Sequence, residues 1–164
     1  MKKILITGGS GFIGTNLIEH LLKKIDAELL TLDINEPKID SHNRFWKRVD
    51  IREYEELREK IVEYKPDIVI HLAARTDLRG LTLKDYDANM TGVSNLLKAI
   101  DEAGTVQKAV FASSMYVCEP GYMPKDFEDY APHTLYGESK VETERRIKKA
   151  NPSYTWSIIR PTTI

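Results

Sequence analysis

Cysteine is almost absent from this 164-residue chain, in which Cys118 is the only one. A single thiol excludes an internal disulfide and is typical of a reducing compartment, so we expect a cytoplasmic protein. Long apolar runs are also missing, since none approaches the ~20 residues that a membrane-spanning helix requires. We therefore expect no contact with a membrane.

Neither sign of charge dominates the chain, which carries 24 Lys and Arg against 25 Asp and Glu, a formal net charge of -1. These residues are mixed along the sequence and do not form the basic stripe that binding to nucleic acid requires. No cluster of His, Cys or acidic residues has the spacing of metal ligands, so no metal site is predicted. Internal repeats and linkers are absent as well, which favours one domain over residues 1–164.

Short apolar runs alternate with helical patterns along the whole chain. The sequence predicts strands at residues 4–6, 28–32, 45–51, 67–72, 109–112 and 156–159, and helices at residues 12–25, 53–64, 85–103 and 135–150. The run DIVIHL at 67–72 is typical of a strand that is buried on both faces. The alternation indicates an α/β fold, a doubly wound parallel sheet of the Rossmann type with helices on both faces.

Three glycines at intervals of three residues, Gly8, Gly11 and Gly14, lie where the first strand passes into the first helix. In a dinucleotide site the first glycine permits the tight turn, the second lets backbone amides approach a pyrophosphate, and the third lets the helix pack close to the sheet. The helix N-terminus then faces the phosphates with its partial positive charge. An ordinary glycine-rich turn is the alternative, but an acidic residue at the right distance favours the dinucleotide site.

That acidic residue is Asp33, at the end of the second predicted strand and 19 residues after Gly14. Its carboxylate can accept hydrogen bonds from a ribose diol, and it would repel a 2′-phosphate. No Arg or Lys directly follows Asp33, and the nearest one beyond it is Lys38. We therefore predict NAD as the cofactor, with NADP less favoured, although a turn or capping role for Asp33 is the simpler alternative.

Tyr136 and Lys140 lie four residues apart at the start of the last predicted helix, so they share one helix face. A nearby positive charge favours the phenolate, so we expect Lys140 and the positive nicotinamide ring to lower the pKa of Tyr136 and to make it a general acid or base. The preceding strand ends at Ser114, whose hydroxyl could bond a substrate oxygen. The irregular stretch at residues 119–134 is long enough to be a functional loop.

Taken in order, these residues resemble the extended short-chain dehydrogenase/reductases, in the branch of NAD-dependent sugar-nucleotide epimerases and dehydratases. The resemblance covers nearly the whole chain and includes TGGSGFIG (7–14), HLAA (71–74), FASSMYV (111–117), YGESK (136–140) and Arg160-Pro161. It implies that Ser114, Tyr136 and Lys140 are catalytic. It also implies a cofactor site formed by Gly8, Gly11, Phe12, Ile13, Gly14, Asp33, Asp50, Ile51, Leu72, Ala73, Ala74, Asn89, Tyr136 and Lys140.

By this resemblance, Tyr136 removes a proton from a sugar hydroxyl, Ser114 orients that hydroxyl, and Lys140 holds the nicotinamide ribose. Hydride passes to NAD, and the ketone is then reduced from the other side by an epimerase or loses water in a dehydratase. Dehydratases of the family tend to carry an Asp-Glu pair where Met115 and Tyr116 stand here, which favours an epimerase. Two alternatives stay open: an NAD(P)-dependent sugar-nucleotide reductase, dehydrogenase or dehydratase, and a non-catalytic NAD-binding sensor or scaffold.

The resemblance also concerns partners and length. It implies a nucleotide-activated sugar as the substrate and a homodimer formed through the helices at 85–103 and 135–150. Members of the family continue past the sixth strand with a segment that builds most of the sugar-nucleotide pocket, whereas this sequence stops at Ile164. We therefore expect a Rossmann domain shortened at its C-terminal end, which binds cofactor better than it turns over substrate and could be inactive alone.

Overall fold

The computed structural model describes residues 1–162 and contains a parallel sheet of six strands. The strands are β1 (Lys2–Thr7), β2 (Ala27–Asp33), β3 (Trp46–Arg48), β4 (Ile68–His71), β5 (Lys108–Ala112) and β6 (Thr155–Ile159), in the spatial order β3-β2-β1-β4-β5-β6. Each pair of neighbouring strands is parallel, which confirms the predicted class of fold.

The α-helices agree with the predicted ones to within two residues at each end. They are α1 (Phe12–Lys24), α2 (Tyr54–Tyr64), α3 (Asp87–Ala103) and α4 (Leu135–Ala150). Three short 3₁₀ helices were not predicted, and they lie at Asp40–Arg44, Leu83–Tyr86 and Met115–Val117. Within residues 1–162, no helix combines the length and the apolar character needed to cross a membrane.

Two apolar layers enclose the sheet. On one face, Ile18 of α1 packs with Ile6 of β1. On the other face, α2, α3 and α4 cover the sheet, and Leu96 and Ile147 belong to the same buried cluster as Leu5. Successive side chains of a strand point to opposite faces, so Leu5 faces one layer and Ile6 the other. Both are fully buried, because each face is covered. Helices therefore cover both faces, as predicted, with α3 beside α4.

The predicted strand at 45–51 is shorter in the structure, where β3 pairs with β2 over three residues. The Val49 amide still donates to the Asp33 carbonyl oxygen at 3.2 Å. Asp50 then turns the chain, because its carboxylate accepts the backbone amide of Arg52 at 2.9 Å. Such a bond from a side chain to the backbone competes with strand pairing and ends the ladder.

The carboxyl ends of all six strands lie at one edge of the sheet. The direction in which strands are added reverses between β1 and β4, and ligands of doubly wound sheets bind in the crevice at such a switch point. Asp33, His71 and Ala112 end β2, β4 and β5 at this edge, next to the glycine turn that follows β1. The fold therefore brings the predicted site residues to one side of the molecule.

Candidate active site

The glycine turn between β1 and α1 has little room for a side chain at Gly8 and Gly14, the first and third glycines of the motif. Gly8 adopts a φ of +77°, and a Cβ there would lie 2.5 Å from the Ala73 amide nitrogen. A Cβ on Gly14 would lie 2.4 Å from the Gly8 carbonyl oxygen. At Gly11 a Cβ would meet just that oxygen, at 3.4 Å. Packing within the described chain therefore does not require glycine at position 11, which fits the close approach of a ligand.

Helix α1 starts at this turn with an N-terminus suited to an anion. Gly11 is the N-cap, so no side chain covers the first N–H groups, and the first turn contains no acidic residue. Phe12 and Ile13 are 62% and 37% exposed. Uncapped N–H groups and the helix dipole together favour a phosphate at such an end. These residues fit the pyrophosphate of a dinucleotide.

Asp33 is held beside the glycine turn by two backbone amides. Its Oδ2 accepts a hydrogen bond from the Ser10 amide at 3.0 Å, and its Oδ1 accepts one from the Asn35 amide at 3.0 Å. The Ser10 hydroxyl also donates to the Asn35 carbonyl oxygen at 2.8 Å. A carboxylate has about four acceptor sites, so Asp33 keeps acceptor capacity for hydroxyl groups of a ligand.

Asp50 and Ile51, which resemble the pair that meets the adenine, follow β3 at the same edge. The Arg52 guanidinium donates to the Asp50 carboxylate, with Nη2 2.6 Å from Oδ2, and this hydrogen bond lowers the pKa of Asp50. Ile51 is buried against Gly92, where a Cβ would lie 2.4 Å from the Ile51 Cδ1. Direct contact of this pair with a cofactor stays a prediction.

Leu72, Ala73 and Ala74 leave β4 alongside the glycine turn. The Leu72 amide donates to the Thr7 carbonyl oxygen at 2.9 Å, and the backbone of Ala73 packs against the turn. His71, which precedes them, is buried, with its Nδ1 2.6 Å from the Thr7 hydroxyl oxygen. Burial lowers the pKa of His71 to about 3, so its imidazole is neutral and serves the packing of this wall.

Asn89 of α3 is buried, and protein groups occupy its amide. Its Oδ1 accepts the Arg75 backbone amide at 2.8 Å, and its Nδ2 donates to the Arg75 carbonyl oxygen at 3.0 Å and to the Ser139 hydroxyl at 2.9 Å. Both side-chain N–H donors are thus used within the protein. Asn89 joins the segment after β4 to α4, and the contact with a cofactor that the resemblance implies stays a prediction.

The three predicted catalytic side chains meet at the carboxyl end of β5. The Ser114 hydroxyl oxygen accepts the Tyr116 amide at 3.2 Å, which fixes the orientation of this serine. Tyr136 is 8% exposed, and its ring packs edge-on against the ring of Tyr116 with centroids 5.7 Å apart. Lys140 is buried, and its Nζ donates to the Ala112 carbonyl oxygen at 2.7 Å.

The prediction that Lys140 lowers the pKa of Tyr136 is wrong for this arrangement. Burial raises the pKa of Tyr136, and hydrogen bonding with Ser114 only opposes that rise. The Lys140 ammonium donates to the Ala112 carbonyl oxygen, and burial lowers its own pKa to about 8. The phenol is therefore protonated at neutral pH and can donate a proton.

The chain can also be compared with known proteins. Residues 4–164 match the family described as the NAD dependent epimerase/dehydratase family. The chain belongs to that family. A curated member, the UDP-glucose 4-epimerase of Neisseria meningitidis serogroup C, is 35% identical over 97% of this chain and 51% of its own length. The chain thus spans about half the length of the curated relatives it matches.

Solved structures of related proteins share the fold. The UDP-glucose 4-epimerase of Thermus thermophilus in complex with NAD is 28% identical and superimposes with a TM-score of 0.78 over 96% of this chain and 54% of its own. A monomeric L-threonine 3-dehydrogenase from a metagenome database is 30% identical, with a TM-score of 0.82 over 96% of this chain and 53% of its own. The two names denote different reactions, so the epimerase/dehydratase fold alone does not select the chemistry.

Sequence reasoning missed one buried residue beside the predicted catalytic side chains, Glu144. It is 1% exposed, and its two carboxylate oxygens accept Nε and Nη2 of Arg160, each at 2.8 Å. The Tyr130 hydroxyl also donates to it at 2.9 Å. A signal for Glu144 was available, because Tyr136, Lys140 and Glu144 follow one another at intervals of four residues and so lie on one helix face.

Gly137, within the Tyr-Lys motif of this family member, sets how closely α4 approaches the segment that carries Ser114. A Cβ at Gly137 would lie 2.2 Å from the Tyr116 carbonyl oxygen. We expect Gly137→Ala to lower the free energy of unfolding by about 1–2 kcal/mol, because overpacking costs about 1–3 kcal/mol and alanine regains only about 0.5–1 kcal/mol in a helix. Urea denaturation measures this change.

The matched control is Gly11→Ala, where a Cβ has room. Its effect on the free energy of unfolding should stay below that of Gly137→Ala, because it creates no overlap and costs only the weaker N-cap preference of alanine, about 0.5 kcal/mol. A Gly137→Ala chain that is as stable as the wild type would contradict the close approach of α4 to Tyr116.

Proposed function

We propose that this chain binds NAD at the carboxyl edge of its sheet and that Ser114, Tyr136 and Lys140 serve the oxidation and renewed reduction of a hydroxyl on a nucleotide-activated sugar. The observation that carries the proposal is the convergence of these three side chains at the edge that also holds the glycine turn. Return of hydride to the opposite side of the sugar carbon would make the protein an epimerase. The UDP-glucose 4-epimerases among its relatives support this class of substrate.

The residues around the edge fit the parts of NAD. The first-turn amides at Phe12 and Ile13 suit the pyrophosphate, and the free acceptor sites of Asp33 suit the ribose diol. The segment at 72–74 forms a wall beside them, and Asn89 holds the continuation of that segment in place. When bound, NAD supplies the acceptor and later the donor of hydride.

Tyr136 handles the proton in this proposal. Its oxygen takes the proton of the sugar hydroxyl during oxidation and returns it when the ketone is reduced, while the Ser114 hydroxyl holds the substrate oxygen beside it. Because burial raises the pKa of Tyr136, the phenolate needs a cation close by. The positively charged nicotinamide ring would be one such cation, and the Lys140 ammonium, one helical turn away, would be the second when NAD is bound.

A dehydrogenase with net oxidation of its substrate is the second candidate, and the similarity to the L-threonine 3-dehydrogenase favours it. An assay for accumulated NADH separates the two, because an epimerase regenerates NAD in every turnover. A dehydratase is less consistent, since Met115 and Tyr116 stand where family dehydratases tend to carry an acidic pair. A purely NAD-binding sensor would have no need to bury a lysine beside Tyr136.

We further propose that residues 1–162 form one dinucleotide-binding domain that dimerises through α3 and α4. These helices lie side by side on one face of the sheet. Side chains of both signs line the groove between them, including Lys98, Asp101, Glu142 and Arg145. A two-fold interface must be complementary to itself, and a surface with both charges meets that condition. Sedimentation velocity tests the dimer directly.

NAD is expected to bind this chain at least about tenfold more tightly than NADP, because Asp33 would face the 2′-phosphate with like charge. The Trp46 indole Nε1 donates to the Asp33 carbonyl oxygen at 3.3 Å, so tryptophan fluorescence can follow the titration. Asp33→Asn should weaken NAD binding by about tenfold. It should also reduce the ratio of the dissociation constant of NADP to that of NAD.

The control for this titration is Asp26→Asn, which removes the same charge from an exposed residue at the opposite end of β2. It should leave both affinities unchanged. Preference for NADP, or an unchanged ratio in Asp33→Asn, would show that Asp33 does not meet the ribose.

A further inference from the structure

Four side chains form a stripe along α4, because Tyr136, Lys140, Glu144 and Lys148 follow one another at intervals of four residues. The first three are 8%, 3% and 1% exposed, respectively. The stripe thus places a buried ammonium and a buried carboxylate on neighbouring turns of one helix face. Each of these charges is costly to bury unless other groups balance it.

Glu144 is the better satisfied of the two charges. Arg160, which directly follows β6, donates to both carboxylate oxygens at 2.8 Å, and the Tyr130 hydroxyl donates to one of them at 2.9 Å. Arg160 also donates from Nη2 to the Phe127 carbonyl oxygen at 2.7 Å. The loop at 119–134 and the end of β6 are therefore both fastened to α4 at Glu144.

Lys140 has fewer partners. Its ammonium donates to the Ala112 carbonyl oxygen, and Glu144 is the charged group whose field favours its protonated form. The groups that act on it from the packed elements are Glu144 on α4, the neutral His71 on β4 and the carbonyl of Ala112 on β5, while Tyr136 lies one turn away on α4. Arg160, which follows β6, is linked to it through Glu144. Helix α3 meets this part of α4 through the neutral groups of Asn89, Ser139 and Thr143.

We propose that Glu144 is a positioning residue for the Tyr136–Lys140 pair. Its carboxylate balances the ammonium of Lys140 and binds Arg160, so the charge state of Lys140 is coupled to the attachment of the 119–134 loop. Glu144 touches neither the substrate nor the cofactor in this role. The importance of the coupling rests on the proposed function, in which the cation of Lys140 supports the phenolate of Tyr136.

The test is the titration of Lys140 in the chain labelled with ¹³C at the lysine Cε, followed by NMR. The wild-type midpoint is expected at about 8. Glu144→Gln should move the midpoint downward by about one pH unit, because the ammonium loses its balancing charge. Arg160→Gln should move it upward, because a carboxylate no longer shared with Arg160 attracts the ammonium more strongly. If Glu144 had only a structural role, Glu144→Gln and Arg160→Gln would be less stable, but they would not move the Lys140 midpoint in opposite directions.

Three further variants complete the experiment. Lys140→Met identifies the resonance of Lys140 by removing it. Glu142→Gln removes the same charge from a partly exposed position of α4, where Glu142 pairs with Arg146, and should leave the midpoint in place. Arg160→Lys keeps a positive charge and should return the midpoint toward the wild-type value.

Equal midpoints in the wild type, Glu144→Gln and Arg160→Gln would overturn the proposal, and so would shifts of the same sign in both variants. If Glu144→Gln does not fold, Arg160→Gln decides alone, since an upward shift supports the coupling and an unchanged or lower midpoint rejects it. The readout needs neither cofactor nor substrate. A chain that fails to bind NAD but shows the opposite shifts would therefore reject the proposed function and leave the coupling intact.

Discussion

Lys140→Met is expected to raise the free energy of unfolding at pH 7 by about 2 kcal/mol. Burial lowers the pKa of Lys140 from its ordinary value of 10.5 to about 8, and one pKa unit corresponds to about 1.4 kcal/mol. The cost of about 3 kcal/mol is reduced by about 1 kcal/mol, because methionine loses the hydrogen bond to the Ala112 carbonyl oxygen. Methionine has a similar length and carries no charge, so it can fill the same space.

The cost of Lys140 to the free energy of unfolding depends on pH. Between the folded value of about 8 and the unfolded value of 10.5, the unfolded chain holds a proton at Lys140 that the folded chain has released. Wild-type stability therefore rises with pH across this interval, and the full cost is present below pH 8. The advantage of Lys140→Met should be largest at neutral pH and should shrink as the pH approaches 10.

Urea denaturation at neutral pH and near pH 10 measures both parts of the effect. Lys149→Met is the matched control, because Lys149 is exposed on the same helix and its replacement should change stability by less than about 0.5 kcal/mol. A Lys140→Met chain that is less stable than the wild type at pH 7 would mean that its surroundings compensate the ammonium fully.

A gain in stability on removing Lys140 would also argue for function. A residue that weakens the fold at neutral pH is retained more readily if its charge is used, and functional sites commonly carry such costs. The Glu144–Arg160 pair needs no such explanation, because both carboxylate oxygens of Glu144 are hydrogen-bonded and Arg160 is partly exposed. Lys140 is thus the charged group of α4 whose burial needs a functional explanation.

The order of the elements could be predicted because strand and helix patterns differ strongly in this chain. Runs such as IVI at 68–70 admit few other structures, and the glycine turn marks the first connection. The length of β3 could not be predicted, because pairing ends where the Asp50 carboxylate captures the Arg52 amide. That event depends on local hydrogen bonding, which apolar periodicity does not report.

Which predicted side chains come together at this edge of the sheet was easier to predict than their electrostatics. Spacing alone placed Tyr136 and Lys140 on one face, since the helix has a fixed geometry. It did not show that the Lys140 ammonium would donate to the Ala112 carbonyl oxygen of another element, or that burial would outweigh the other effects on Tyr136. Those features depend on how α4 packs against β5 and on the three-dimensional surroundings of each charge.

Tyr136→Phe is expected to lower the rate of hydride transfer from a nucleotide-activated sugar by about 10²–10⁴-fold, the usual contribution of a positioned acid or base. The ring would remain packed against Tyr116 and Tyr86, so the fold and the affinity for NAD should change little. The measurement is single-turnover formation of NADH in enzyme loaded with NAD, together with the dissociation constant of NAD.

Tyr116→Phe provides the matched control, because it removes a neighbouring hydroxyl from the same aromatic cluster, where Tyr116 also stacks on His133. A loss confined to Tyr136→Phe would assign the proton to that phenol. Equal losses in both variants would indicate a general disturbance of the cluster instead. The wild type could instead bind NAD tightly while none of the nucleotide sugars tested leads to NADH. If Tyr136→Phe then binds NAD equally well, the chain acts as a binding module. The buried lysine would then need a role in sensing the bound cofactor, because its cost to stability would be the same.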